Sequence, residues 1–225
     1  MIVQIKLSLP NCTYLRDPQE TKLGVSIIQN SIELMVEIGF EAFTFKKLAV
    51  KIESTEASIY RYFESKNQLL LFLYAWYWAW VNYRVETTTH HLTDEVSKLK
   101  AAIKILISHT EEDEKFQFIN EIKLRQIIEH EGIKSILTKR IDEINKAGAF
   151  ENYKKLVGTL VEWLLVIRPN YAHPNMLITT IIEGAHIQHF FAEHLPSLTN
   201  NGKEKNSVEQ FFLILLDQLL FQKND

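Results

Sequence analysis

Apolar residues recur at helical spacing along most of the chain, and short polar clusters break the pattern into segments. Asp17-Pro18-Gln19-Glu20 supplies a cap, a proline at the first helical position and an acid three residues after the cap. This predicts a first helix from about Pro18 to Ile38 with Leu23, Ile27, Leu34 and Ile38 inward, ended by Gly39. Thr44 stands before a short run whose Phe45, Leu48, Ala49 and Ile52 share one face. Ser54-Thr55 offers another cap, and Ile59 and Phe63 turn the next stretch inward. Ser65-Lys66-Asn67-Gln68 has the S-x-x-Q spacing of a capping box and opens a long helix reaching about Thr87. Further helices are expected near 93–110, 114–130, 133–147, 150–168, 174–195 and 206–222. Their separators are Glu111-Glu112-Asp113, Glu131-Gly132, Ala147-Gly148, Arg168-Pro169-Asn170 and the polar stretch from Pro196 to Asn206. Residues 1–16 form an arm with no assigned structure. The expected fold is all-α.

Two short helices joined by a tight turn, with a third following, have the layout of a helix-turn-helix that inserts one helix into the DNA major groove. Ala57 and Ser58 keep the start of the second helix small, so that its backbone can approach base edges. Tyr60 and Tyr62 carry hydroxyls suited to phosphate oxygens, and Lys66 stands in the first turn of the next helix, where an anion is favoured. A helical hairpin with no role in DNA binding fits the spacing equally well.

Residues 23–70 resemble the N-terminal domain of the TetR family of transcriptional regulators. The residues that carry the resemblance are Gly39-Phe40, Thr44, Leu48-Ala49, Thr55-Glu56-Ala57-Ser58, Ile59-Tyr60-Arg61-Tyr62-Phe63 and Ser65-Lys66. It implies a homodimeric DNA-binding repressor with a head over 1–65 and an effector-binding and dimerisation body over 66–225. The implied DNA-binding set is Thr44, Lys46, Thr55, Glu56, Ala57, Ser58, Tyr60, Arg61, Tyr62 and Lys66, acting on a near-palindromic operator. Thr44, Lys46, Tyr60, Tyr62 and Lys66 would hold phosphates, while Glu56, Ala57, Ser58 and Arg61 would read bases. The chain departs from the family pattern in the turn. The family usually places Gly there, and here Ile52-Glu53-Ser54-Thr55 occupies it, so Glu53 must close the turn without glycine's freedom at positive φ.

Composition agrees with a small head and a larger helical body. The 225 residues include only 7 Gly and 5 Pro. The single Cys12 cannot form an internal disulfide and suits a reducing cytoplasm. Residues 1–9 show no signal-peptide core, and the apolar run Leu69–Val81 is too short for a membrane span of ~20 residues. The net charge is −3, whereas in 44–66 Lys46, Lys47, Lys51, Arg61 and Lys66 outnumber Glu53, Glu56 and Glu64. That local excess is compatible with DNA without requiring it.

Three constellations lie outside the head. Trp76 and Trp80 share a helical face continued by Tyr83, which is either core packing or the wall of a pocket for a largely apolar effector. The stretches 174–195 and 206–222 are candidates for a homodimer interface, with Ile178, Ile182, Phe190, Phe211 and Leu215 as contacts, because a helix apolar all round needs cover on nearly all sides. Glu183-x-x-His186 has the spacing of one di-iron ligand pair, but no second Glu-x-x-His accompanies it. A helical carboxylate-metal enzyme over 93–195 and an interaction protein with a degenerate head therefore stand as rivals. No catalytic constellation, glycine-rich phosphate loop, metal or cofactor is expected.

Overall fold

The computed structural model describes residues 6–108, 116, 119–136, 138–200 and 206–221, and helices are the only regular elements among them. They are α1 (Lys22–Ala42), α2 (Phe45–Lys51), α3 (Glu56–Tyr60), α4 (Lys66–Thr89), α5 (Glu95–Ile107), α6 (Glu121–Ile136), α7 (Ile141–Lys146), α8 (Glu151–Ile167), α9 (Pro174–His194) and α10 (Ser207–Phe221). The chain divides into two compact units. One comprises residues 1–80 and 110–152, the other 81–109 and 153–225. This division cuts α4 and differs from a boundary at 65/66.

In the first unit, Asp17 caps a separate 3-10 turn, Pro18–Glu20, by accepting from the Gln19 N–H at 2.9 Å. The first α-helix starts later than the sequence predicts. Thr21 is its cap and accepts from the Gly24 N–H at 2.9 Å. Gly24 lies against the backbone of that turn, where an added Cβ would fall 2.3 Å from the Pro18 carbonyl oxygen. Ile27, Ile28, Ile32, Leu34 and Met35 carry the buried face of α1. Helical geometry breaks at Gly39 (φ 76°, ψ 157°), as its position predicts, and a final turn follows to Ala42. By length and hydropathy α1 is long enough to cross a membrane, but 44% of its most apolar window is buried inside the protein.

α6 packs along α1 and is fastened by ion pairs Lys123–Glu33 and Lys134–Glu41, the latter at 2.7 Å. The expected stop at Glu131-Gly132 does not occur, and α6 runs through it to Ile136. Gly132 is buried, and a Cβ there would meet Ile128 Cγ2 at 3.2 Å and the Tyr74 ring at 3.7 Å. The glycine thus permits close packing rather than ending a helix. The predicted 133–147 helix is accordingly the end of α6 plus the separate α7. Gly148, at φ 89°, follows α7 as a C-terminal glycine should. The predicted start near 114 lies outside the described residues.

The second unit contains α5, α8, α9 and α10, with α10 packed on both α5 and α9. Asp94 caps α5 by accepting from the Ser97 N–H at 2.8 Å. Glu209 of α10 accepts from the Ser108 hydroxyl at 2.7 Å and pairs with Lys104 at 3.2 Å. Lys100 pairs with Asp217 at 2.6 Å. A Cβ on Gly184 would touch Phe212 at 3.0 Å, so α9 and α10 also meet through a missing side chain.

Candidate nucleic-acid interface

The Thr44 hydroxyl accepts from the Lys47 N–H at 3.2 Å and opens α2, which buries Phe45, Leu48 and Ala49. Its C-terminal turn closes through two backbone bonds, Ser54 N–H to Ala49 C=O at 2.9 Å and Glu53 N–H to Val50 C=O at 3.2 Å. That is a Schellman closure, and it places Glu53 at φ 51° where glycine is favoured. The departure noted in the sequence is thus accommodated by strain, with the turn kept. Glu53→Gly is expected to raise stability by about 1 kcal/mol, since the left-handed region costs an L-residue roughly 1–2 kcal/mol and glycine returns part of that as chain entropy. A urea titration that moves the other way would count against this account of the turn.

α3 begins at Thr55, whose hydroxyl accepts from the Ser58 N–H at 3.2 Å and lies 2.9 Å from the Ser58 hydroxyl. Ile59 is fully buried, while Thr55, Glu56, Ala57, Tyr60 and Arg61 are exposed and Ser58 is half-buried. The Tyr60 ring stands edge-on to Phe45, 5.1 Å between centroids, and remains 48% exposed. Thr44 and Lys46 of the preceding segment are exposed too. Among the described residues neither Lys46 nor Arg61 has an ion pair.

Two members of the predicted set are placed otherwise. Tyr62 is 2% exposed, and its hydroxyl bonds to the Thr21 hydroxyl at 2.8 Å, so it joins α1 to the end of the recognition segment. Lys66 donates to the carbonyls of Phe40, Glu41 and Phe43 at 3.0, 3.1 and 3.4 Å, and its ammonium sits 4.7 Å from the centre of the Phe40 ring. It caps the C-terminal end of α1, where a cation is favoured. Lys66→Met is expected to cost about 2 kcal/mol of stability, because charged hydrogen bonds to three carbonyls are lost. The contrasting result, unchanged stability with weaker DNA binding, would restore the phosphate role.

The N-terminal arm gives no periodic signal in the sequence, yet it is tied to this corner. The Leu15 N–H donates to the Tyr62 carbonyl at 2.8 Å, and Arg16 lies over the Tyr62 ring at 5.5 Å. Gln68 accepts from the Glu64 N–H at 2.6 Å and donates to the Cys12 carbonyl at 3.3 Å. The Ser65 hydroxyl accepts from the Gln68 N–H at 3.2 Å, as the capping spacing predicts.

The other candidates separate in the same way. Burial is unbroken from Leu69 to Asn82 along α4. Trp76 and Trp80 are 0% and 1% exposed and stack at 6.5 Å, and Trp76 meets Phe116 edge-on at 5.6 Å. Tyr83 is half-buried. Ile178 and Ile182 are both 0% exposed within one protomer, so they belong to its core and do not present a surface to a second copy. On α10 the stripe Val208, Phe212, Leu216 and Leu220 is buried, while Phe211, Ile214 and Phe221 are about 60% exposed. Phe190 and Leu215 are half-buried. Glu183 accepts from the Tyr153 hydroxyl at 2.9 Å and lies 3.7 Å from His186 Nδ1. Burial pushes its carboxyl up, but the bonds from His186 and Tyr153 outweigh this and hold it below the usual range.

Residues 27–73 match the model of the family described as bacterial regulatory proteins, tetR family. That match takes in the helix-turn-helix and about a fifth of the chain. The matched range runs from the core of α1 through the recognition helix into α4. No curated protein matches the chain in sequence. Similar solved structures include AibR in complex with isovaleryl coenzyme A and operator DNA, at 17% identity and TM-score 0.57, covering 87% of this chain and 96% of that one. The fatty acid degradation regulator FadR from Bacillus halodurans has 17% identity and TM-score 0.59, with 88% and 98% covered. The ketosteroid transcriptional regulator KstR2 of Mycobacterium tuberculosis has 14% identity and TM-score 0.53, with 98% and 97% covered. At these identities the likeness is one of fold.

Proposed function

We propose that this protein is a ligand-responsive transcriptional regulator that acts in the cytoplasm as a homodimer, repressing from a near-palindromic operator until a small molecule releases it. The observation that carries the reading is the exposed row Thr55, Glu56, Ala57, Tyr60 and Arg61 on a capped helix inside the tetR-family range. Each recognition helix enters one major groove, and the two-fold axis of the dimer is mirrored in the site. Ser58 and Arg61 contribute to base choice, while Thr44, Lys46 and Tyr60 hold phosphates.

The dimer face is assigned to the open side of α9 and α10. Met176 and Ile187 are 66% and 44% exposed on α9, and Phe211, Ile214 and Phe221 continue the apolar surface on α10. Phe190 and Leu215 lie at its edge.

The effector is a largely apolar small molecule held beside α4, with Trp76, Trp80 and Tyr83 as candidate wall residues. Aromatic walls with few polar groups suit such sites. Two relatives by fold have acyl chemistry in their names: AibR is bound to isovaleryl coenzyme A, whose acyl end is apolar, and FadR is a regulator of fatty acid degradation. An effector releases the operator only by binding one arrangement of the heads better than the other. Selection from random DNA, followed by salt titration of the enriched site, tests the reading. A repeated inverted sequence whose affinity falls steeply with salt supports it.

A further inference from the structure

The first unit also holds a groove that neither the DNA-binding face nor the aromatic wall uses. Its volume is about 670 Å³, within the roughly 300–1,000 Å³ usual for small-molecule sites. The floor is apolar, made by Leu70 and Leu71 of α4 and Ile144 of α7. It continues into a neighbouring hollow of about 270 Å³ that shares Cys12, Leu71, Arg140 and Ile144 and adds Glu143 and Ala147.

The rim has the opposite character. Lys134, Lys139 and Arg140 line it against a single carboxylate, Glu64. Lys134 is committed to Glu131 and Glu41 at 2.6 and 2.7 Å. Arg140 pairs with Glu143 at 3.0 Å, but both side chains are more than 70% exposed, and such a pair is easily exchanged for another anion. Lys139 has no ion pair among the described residues. Ser65 and Asn67 bring the N-terminal end of the 24-residue α4 to the same rim, which adds a partial positive charge.

We propose that this groove binds a small amphiphilic anion, a carboxylate or phosphate on a short alkyl chain, with its head on Lys139 and Arg140 and its chain on Leu70, Leu71 and Ile144. An apolar floor with a cationic rim favours neither a neutral hydrocarbon nor a bare ion. The site borders the corner after the recognition helix, where Gln68 joins Glu64 to Cys12 and Leu15 joins Tyr62. Occupancy therefore stiffens the junction from which the recognition segment leaves.

Cys12 lines the groove and is the only cysteine in the chain, so its alkylation rate reports this site alone. Burial raises its thiol pKa, and labelling with a fluorescent iodoacetamide is best followed at alkaline pH. Hexanoate, hexyl phosphate and inorganic phosphate are compared at equal concentration, with and without Lys139→Glu/Arg140→Glu. Hexanoate or hexyl phosphate should slow labelling about tenfold at ten times its Kd. The variant should abolish the effect while keeping the wild-type circular dichroism spectrum. The head group that protects better identifies the ligand class. Protection by neither amphiphile, equal protection by inorganic phosphate, or protection that survives the variant overturns the proposal. So does protection by operator DNA alone, which would make the groove a phosphate-backbone contact. Protection by the amphiphiles is read without DNA, so its failure is distinct from failure of the regulator reading.

Discussion

Ile214→Asp is expected to convert a micromolar dimer into a folded monomer and to weaken binding to a two-fold operator by about 100-fold or more. Ile214 is 58% exposed in the protomer, between Phe211 at 58% and Phe221 at 60%. A charge there costs the isolated subunit little, because the position faces water. In an apolar dimer interface the same carboxylate would be buried without a partner, at a cost of several kcal/mol. Losing the second head removes the gain from joint binding, typically 10²–10⁴-fold. Light scattering and a thermal melt separate the two effects. A variant that stays dimeric would show that α10 is not the interface. A variant that unfolds would show that Ile214 belongs to the protomer's own core.

Gly24→Ala is expected to cost about 3 kcal/mol, at the upper end of overpacking effects. The added methyl would lie 2.3 Å from the Pro18 carbonyl oxygen and 2.5 Å from its Cα. Neither atom belongs to a flexible side chain, so the turn before α1 must move as a body. That turn carries the arm that reaches Tyr62 and Gln68, so operator affinity should fall with stability. Chemical denaturation measures the first effect. A loss below about 1 kcal/mol would mean that the turn yields without strain.

The helical layout was legible because its signals are local. Thr44, Thr55 and Ser65 each cap the helix that their position predicts. Gly39 and Gly148 adopt positive φ where glycine ends a helix. What sequence spacing could not resolve depends on residues far apart in the chain. Tyr62 and Lys66 look available for phosphate until Thr21 and the carbonyls of Phe40, Glu41 and Phe43 are placed beside them. Gly132 reads as a stop until Tyr74 is seen against it. The apolar circumference of α10 likewise hides which side the protomer covers. Val208, Phe212, Leu216 and Leu220 face inward, and nothing in their chemistry distinguishes them from Phe211 or Ile214. The N-terminal arm has no periodicity to read, and its bonds to Tyr62 and Gln68 emerge only from the fold.

The central claim is that α3 reads DNA as one of a two-fold pair. Its most direct test is selection of bound fragments from random duplex DNA, performed on the wild-type protein and on Arg61→Ala. The account predicts enrichment of one sequence with two inverted half-sites, a steep loss of affinity with salt, and altered base preference at symmetric positions in Arg61→Ala. Enrichment of no two-fold sequence, with binding no stronger than to bulk DNA, would contradict it.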